Sequence, residues 1–326
     1  MPISCRVTRG ELTESIHVGF AVAVDENGHI FFSTGDPHYL TCIRSALKPF
    51  QAAASVKIGA VDAVGFDDKE LALMCASHKG EDAHIKAANA MIHKLGLTIN
   101  DLECGAHYPS DTYSKHLLIR ENKKPLALHN NCSGKHAGML ALAKFISKGT
   151  SNYIDIDHPV QQSIMKYVKN LTGIEDISIA IDGCTAPTPF LTIQTIANMF
   201  QMLAAGREPE LARIFDAMCS YPEMIGGTEH FDTSFIKCLN GRGVTKVGGE
   251  SIRGIALKTK NHGAIGIAIK ILDGNFRAMP VAVMQLLEHL ELLDRDELKG
   301  LDSFRTKILK NHNNIEIGRI EAYIDF

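Results

Sequence analysis

Residues 17–33, HVGFAVAVDENGHIFFS, contain two apolar runs on either side of the turn sequence Asp25-Glu26-Asn27-Gly28. The runs cover residues 17–24 and 29–33. A short polar segment that ends in glycine favours a tight turn, and apolar runs on both sides of it predict a β-hairpin. We therefore expect the chain to open with a pair of strands.

A similar strand pattern lies near the other end of the chain. Apolar runs at 254–258 and 264–271 flank the turn sequence Asn261-His262-Gly263, and residues 315–324 predict a last strand after a helix near 281–293. Strands from both ends of a chain can pair in one sheet. The pattern therefore predicts one antiparallel sheet built from the two termini.

Between residues 45 and 145 the spacing of apolar residues changes to three and four, which is typical of helices. Within this stretch the clearest helical patterns lie at 70–74, 83–95 and 136–146. Further helical patterns follow at 159–171 and 192–205. We predict an α+β fold, with an antiparallel sheet, covering helices and a helical lobe. One domain would cover 1–326, with a sheet lobe at 1–44 and 245–326 and a largely helical middle at 45–244.

Composition restricts the partners of the chain. It has 326 residues, 45% of them hydrophobic, and a formal net charge of −3, which is too weak a field to hold nucleic acid or an anionic membrane. No apolar run reaches about 18 residues, and residues 1–14 lack the apolar segment of a secretion signal. We expect a cytoplasmic protein with a small-molecule partner, whose eight cysteines remain thiols.

The sequence Arg44-Ser45-Ala46-Leu47-Lys48-Pro49-Phe50 contains Ser-x-x-Lys before an apolar helical run. A spacing of three residues puts both side chains on one helical face. Lysine can take the proton of a nucleophilic serine if burial or a nearby cation lowers the lysine pKa. The alternative is a helix-capping serine followed by a solvated lysine.

Two later segments could complete such a site. Ser77 lies in Cys75-Ala76-Ser77-His78-Lys79-Gly80-Glu81, a polar segment that follows an apolar run, and Lys246 lies beside paired glycines ahead of a strand. The order of Ser-x-x-Lys, a middle serine and a late lysine also occurs in penicillin-recognising serine enzymes. Here the middle Ser-Asp-Asn is absent, and the third element is Lys-Val-Gly.

Two cysteine segments lie in predicted turns: Asn130-Asn131-Cys132-Ser133-Gly134-Lys135-His136, which leads into a helix, and Asp182-Gly183-Cys184-Thr185, which follows an apolar run. A thiol at a helix N-terminus can be an activated nucleophile or a metal ligand. Neither segment has the Cys-x-x-Cys spacing that would favour zinc on its own.

Taken in order, these segments resemble the Rhizobium-type L-asparaginases, the asparaginase II family of serine- and lysine-dependent enzymes. The resemblance extends from about Val7 to the last strand. Further matching segments are Thr8-Arg9-Gly10, Glu14-Ser15-Ile16-His17, Tyr221-Pro222-Glu223-Met224-Ile225-Gly226-Gly227, Phe231-Asp232-Thr233, Lys246-Val247-Gly248-Gly249-Glu250, Lys270-Ile271-Leu272-Asp273-Gly274 and Arg277-Ala278.

The resemblance implies a fold like that of serine β-lactamases and glutaminases, and a homodimer that hydrolyses L-asparagine to L-aspartate and ammonia. It also implies two catalytic pairs, Ser45 with Lys48 and Ser77 with Lys246. In the family, the segment around this second lysine more often reads Lys-x-Gly-Ala-Glu-Gly. Lys258 and Lys260 are alternative candidates for the second catalytic lysine. We expect Ser45 to be the nucleophile.

The same resemblance implies one zinc ion held by Cys132, Lys135 and Cys184. It also places Arg44, Asp182 and His136 among the residues that bind substrate, with Asp182 expected to hold the α-ammonium group. Two alternatives stay open at the level of sequence. One is a β-lactamase-like or peptidase-like acyl hydrolase, and the other is a non-catalytic zinc-binding protein of the same fold.

Overall fold

The computed structural model describes residues 2–146 and 149–324. The strands are β1 Ile3–Arg9, β2 Leu12–Val24, β3 Ile30–Thr34, β4 Leu40–Cys42, β5 Ile179–Ile181, β6 Pro187–Thr192, β7 Gly243–Gly248, β8 Ile252–Thr259, β9 Gly263–Ile271, β10 Lys307–Lys310 and β11 Glu316–Tyr323. The helices are α1 Lys48–Ile58, α2 Ala60–Ala63, α3 Asp68–Met74, α4 Asp82–Lys94, α5 Thr112–Arg120, α6 Ser133–Ile146, α7 Pro159–Thr172, α8 Ile193–Ala205, α9 Pro209–Ser220, α10 Pro222–Gly226, α11 Phe231–Leu239, α12 Met279–His289 and α13 Arg295–Gly300.

The chain divides into two compact units. The first, here called the sheet unit, contains Met1–Ile43, Leu191–Ala205 and Ser234–Phe326. The second, the helical unit, contains Arg44–Phe190 and Gly206–Thr233. The expected single domain at 1–326, with a sheet lobe at 1–44 and 245–326 and a largely helical middle at 45–244, stays a prediction. Residues 1, 147–148 and 325–326 lie outside the described part.

The sheet unit is built around eight strands among the described residues, in the order β10-β11-β1-β2-β9-β8-β7, with β3 also paired to β2. Neighbouring strands are antiparallel. The N-terminal β1 lies between the C-terminal β11 and β2, so both ends of the chain meet in one sheet. The prediction of an α+β fold with an antiparallel sheet from the two termini is confirmed.

Helix α8 lies against the face of this sheet and contacts β2, β8 and β9. Two glycines make the approach possible. A Cβ atom on Gly254 would lie 1.9 Å from Phe200, and one on Gly266 would lie 1.9 Å from the Ala197 carbonyl oxygen. Because those distances are far below van der Waals contact, the strands need glycine where the helix crosses them.

The helical unit packs α1 against α6, α7 and α9, and packs α3 against α6 and α9. Helix α6 touches α3 through two glycines. A Cβ atom on Gly134 would lie 2.3 Å from the Leu73 carbonyl oxygen, and one on Gly138 would lie 2.4 Å from the methyl carbon of Met74. The start of α6 is therefore held close to the end of α3, which runs into the Ser77 segment.

The structure differs from the sequence-based expectations mainly at short elements. Strands β1, β4, β5, β6, β7 and β10 were not expected, and they are three to seven residues long. Lys246 lies ahead of the expected strand, β8, but within the additional strand β7. Short strands leave little periodicity in a sequence, because pairing with a distant segment decides them.

Among the described residues, no helix combines the length and the apolar character needed to cross a lipid bilayer.

We expect Gly134→Ala to lower the free energy of unfolding by about 3 kcal/mol, because the added methyl group meets a backbone oxygen that cannot rotate away. Alanine would otherwise stabilise a helix by about 1 kcal/mol relative to glycine. Denaturant unfolding measures the change. The control is Gly96→Ala, whose Cβ meets nothing within 4 Å at a φ of +63° and which should lose only about 1 kcal/mol. Equal losses in the two variants would contradict the packing argument.

Candidate active site

Most of the residues singled out from the sequence lie in the helical unit. These are Arg44, Ser45, Lys48, Ser77, Cys132, Lys135, His136, Asp182 and Cys184. Lys246 lies in the sheet unit. Within the helical unit the residues come from four places: the start of α1, the segment after α3, the start of α6 with the turn before it, and the turn before β6.

Lys48 is the first residue of α1, and its side chain is buried. Pro49, the next residue, has the backbone φ that a first helical turn requires. The Lys48 ammonium group donates to the Ala76 carbonyl oxygen at 2.5 Å, to Ser77 Oγ at 3.1 Å and to the Asn131 carbonyl oxygen at 3.3 Å. Its three donors are thus satisfied, and Lys48 and Ser77 are brought together.

Ser45 lies in the 3-10 turn Arg44–Leu47 that leads into α1 and is partly exposed. Among the described residues, its hydroxyl makes no hydrogen bond to Lys48 or to another side chain. Arg44, directly before it, has a φ of +49°, a left-handed conformation that costs a non-glycine residue about 1–3 kcal/mol. The strained backbone changes the chain direction between Ile43 and Ser45.

Arg44 and Asp182 form an ion pair in this unit. The Arg44 guanidinium donates through Nε at 3.0 Å and through a terminal nitrogen at 2.7 Å, both to Asp182 Oδ1, which also accepts the Gly183 backbone N–H at 2.7 Å. Burial raises the pKa of Asp182, but the Arg44 and Gly183 hydrogen bonds outweigh burial and lower it. Within the described residues the second oxygen, Oδ2, accepts no hydrogen bond and is available to a cation.

The two cysteines assigned to zinc lie close to Lys135. The Lys135 amine is 2.9 Å from Cys184 Sγ, and the thiols of Cys132 and Cys184 share a hydrogen bond. All three side chains are buried. Asn130 positions the first cysteine, because its side chain accepts the Cys132 backbone N–H at 2.8 Å and donates to the Cys104 carbonyl oxygen at 2.7 Å.

The pKa values of the Cys132 and Cys184 thiols shift in opposite directions. The hydrogen bond from Cys184 holds the pKa of Cys132 below its usual value, against the effect of burial, and Lys48 and Lys135 act in the same direction. The same hydrogen bond and burial raise the pKa of Cys184. The pKa of Lys135 is raised by the neighbouring thiols despite its burial.

The same three donors fit a zinc ion. Thiolate sulfur and neutral amine nitrogen are ligands that zinc accepts, and three protein ligands leave a fourth position open for water or substrate. No group of three or more His, Cys, Asp or Glu side chains in the described part of the chain is placed to hold a metal. The zinc ion that the family resemblance implies at these three residues stays a prediction.

His136, assigned to substrate binding, lies in the first turn of α6 and is fully buried. Its Nδ1 atom is 2.7 Å from the hydroxyl oxygen of Tyr153. Burial lowers the pKa of His136, and the charges of Lys135 and Lys48 lower it further. The imidazole is therefore neutral at ordinary pH and lies within the electrostatic reach of both lysines.

His78 was not singled out from the sequence, yet it links two parts of the site. The Gly80 backbone N–H donates to His78 Nδ1 at 3.1 Å, so the ring carries its proton on Nε2 and donates to Ser133 Oγ at 2.9 Å. Both His78 and Ser133 are buried. The bond joins the residue after Ser77 to the first residue of α6. In the sequence, the one feature that could have pointed to His78 is its position next to Ser77.

In the sheet unit, Lys246 is buried in β7, and its amine donates to the Val247 carbonyl oxygen at 2.7 Å. The turn between β7 and β8 is strained, since Glu250 and Ser251 both have a φ of +56°. Lys270 in β9 donates to the carbonyl oxygens of Glu250 and Ile271. Lys270 therefore stabilises the turn that follows the Lys246 strand.

The comparisons with known proteins agree with the sequence motifs. The model of the L-asparaginase II family matches residues 5–322. This chain therefore belongs to the L-asparaginase II family, which confirms the resemblance inferred from its motifs. A search among curated protein sequences finds no match.

Solved structures show weaker similarity. Mglu in its native form, with 4.3 M NaCl, is 16% identical with a TM-score of 0.39, covering 86% of this chain and 63% of that one. A β-lactamase from Burkholderia ambifaria is 14% identical with a TM-score of 0.39, covering 78% and 84%. A mutant β-lactamase of Vibrio parahaemolyticus is 10% identical with a TM-score of 0.37, covering 89% and 92%. The chain spans 59–66% of the length of the first three Mglu structures. These scores define neither substrate nor mechanism.

We expect Arg44→Ala to lower the free energy of unfolding by about 1.5–3 kcal/mol, because Asp182 would keep a largely buried charge without its main partner. Denaturant unfolding at neutral pH measures the change. The control is Arg305→Ala, which removes a more exposed ion pair with Glu288 and should cost about 0–1 kcal/mol. Similar small losses in both variants would show that the Arg44 pair adds no more than a surface contact.

Proposed function

We propose that this protein hydrolyses the side-chain amide of L-asparagine, giving L-aspartate and ammonia. The observation that supports it most is the buried Lys48 amine, 3.1 Å from Ser77 Oγ and three residues from Ser45, in a chain of the L-asparaginase II family. A lysine that contacts one serine and lies three residues from another can remove a proton from a hydroxyl nucleophile without histidine.

In the proposed first step, Ser45 Oγ attacks the side-chain amide carbon of asparagine, and its proton passes to Lys48 in the neutral form. A neutral amine keeps two N–H groups for the Ala76 and Asn131 carbonyl oxygens, and it turns its lone pair toward a hydroxyl group. The carbon–nitrogen bond then breaks, and ammonia leaves with a proton returned through Lys48 and Ser77. Water next attacks the ester on Ser45 and releases aspartate.

Substrate recognition is proposed to use the charges of the same unit. The free Asp182 Oδ2 would accept hydrogen bonds from the α-ammonium group, while Arg44 holds the carboxylate in place through Oδ1. A carboxylate already fixed by a guanidinium loses little further freedom when it binds a ligand. His136 would donate to an acceptor oxygen of the substrate.

A zinc ion is proposed to bind Cys132, Lys135 and Cys184, where it would supply a Lewis acid next to the reacting amide. Lys135 must lose its proton to become a ligand, so this chain would release protons when it takes up metal. Lys246 is proposed, from the family resemblance, as the second catalytic lysine. A homodimer and a cytoplasmic location remain proposals of the same kind.

The first experiment is ammonia release from L-asparagine by the purified protein, with L-glutamine as a second substrate and a chromogenic cephalosporin as a third. We expect activity with asparagine and a loss of about 10²-fold or more in Ser45→Ala, because general-base catalysis needs its nucleophile. The matched control is Ser163→Ala in α7, which should keep full activity. Cephalosporin hydrolysis without asparagine hydrolysis would instead favour the acyl-hydrolase alternative.

The identity of the nucleophile is tested separately. Acid-quenched enzyme incubated with asparagine should carry its acyl group on Ser45, as detected by mass spectrometry of peptides. Ser77→Ala should slow turnover by about 10²-fold or more while the adduct on Ser45 still forms. An adduct on Ser77 would reverse the two roles.

Metal content tests the zinc proposal without relying on activity. We expect purified protein to retain about one zinc per chain, and Cys132→Ser and Cys184→Ser to lose it, since a hydroxyl is a poor replacement for a thiolate ligand. The control is Cys238→Ala in the sheet unit, which should retain the metal. Equal zinc in all four proteins would exclude this ligand set.

A further inference from the structure

Tyr153 has no assigned role, and it is the largest fully buried side chain among the described residues. Its hydroxyl oxygen accepts the Glu103 backbone N–H at 2.9 Å and lies 2.7 Å from His136 Nδ1. These two contacts occupy the hydroxyl group from both sides. They connect a residue between α6 and α7 with the candidate substrate-binding histidine.

The positions of the protons follow from counting donors. The Glu103 N–H can only donate, so the single phenolic proton of Tyr153 needs another acceptor, and His136 Nδ1 is the one within reach in the described part of the chain. Burial raises the pKa of Tyr153, which keeps the phenol protonated. Tyr153 therefore donates to Nδ1, and the neutral ring carries its proton on Nε2.

The opposite arrangement is less favourable. If His136 donated from Nδ1, the phenolic proton would have no acceptor and the Nε2 lone pair would have no donor, which leaves two buried polar groups unsatisfied. With Tyr153 as the donor, only the Nε2–H group is left over. Buried polar groups without a partner are costly, so the arrangement with one such group is preferred.

That remaining group points to a ligand. His136 Nε2 is buried and makes no hydrogen bond to any described residue. The ring lies in the first turn of α6, directly after Lys135. An unpaired, buried N–H donor among the candidate site residues is suited to an anionic oxygen, and asparagine offers one in its α-carboxylate.

We propose that Tyr153 is a positioning residue, which holds His136 as the Nε2–H tautomer so that the histidine donates to the α-carboxylate of the substrate. The identity of the ligand rests on the proposed asparagine hydrolysis, whereas the tautomer does not. Tyr153 itself touches no substrate. Its effect passes through one hydrogen bond of 2.7 Å.

The tautomer is measured by 15N–1H NMR of protein labelled in histidine, with His136→Gln used to assign the signal. We expect His136 of the wild type to show the Nε2–H signature, and Tyr153→Phe to show the Nδ1–H form or a mixture. The matched control is Tyr167→Phe. Tyr167 is a second buried tyrosine, which lies in α7 beside Glu210 of α9, and its substitution should leave the His136 signal unchanged. An Nδ1–H signature in the wild type would overturn the proposal.

Ligand binding and kinetics complete the test. Saturating L-aspartate should shift the His136 Nε2–H signal, and Tyr153→Phe should raise KM for asparagine about tenfold with kcat changed less than threefold, whereas Tyr167→Phe changes neither. Aspartate that shifts other signals but not this one, or a Tyr153→Phe enzyme with wild-type KM, would overturn the proposal. A wild type that releases no ammonia refutes the proposed function instead, and the NMR result then decides the tautomer on its own.

Discussion

The arrangement of the candidate site depends on one buried amine. The Lys48 amine reaches the Ala76 carbonyl oxygen, Ser77 Oγ and the Asn131 carbonyl oxygen, and so ties the start of α1 to the segment after α3 and to the turn before α6. A buried amine is tolerable only when its polar atoms are paired. Three segments that are far apart in sequence must therefore meet at this amine before the site can exist.

Packing and polar contacts support the same meeting point. The glycines of α6 let its first turn lie against the end of α3, and His78 bonds to Ser133 across the same contact. The turn with Cys132 is held by Asn130. The side chains proposed for chemistry are thus supported by neighbours that have no chemical role, and preorganisation of this kind is what a catalytic site requires.

Several residues with a strained backbone lie next to residues of the candidate site. Arg44 precedes Ser45 and Thr185 follows Cys184, and both residues have a positive φ, as do Glu250 and Ser251 after β7. Other residues with positive φ, such as Asn122 and Asn314, lie in surface turns where asparagine adopts this conformation readily. Strain in arginine and threonine is harder to accommodate. It is stabilised here by the Arg44 ion pair and by the Thr185 hydrogen bond to the Glu103 carbonyl oxygen.

The sequence by itself determined the fold class, the N-terminal hairpin and the family, because apolar periodicity and motif order are local properties that survive without coordinates. It also indicated Ser45, Lys48 and Ser77 as a group, although not that the Lys48 amine bonds to Ser77. Only the tertiary structure decided the contact of Lys135 with Cys184, the pairing of Arg44 with Asp182 and the contact of His136 with Tyr153. Those contacts join residues 17 to 138 positions apart, and no local pattern encodes a hydrogen bond that forms only when distant elements pack together.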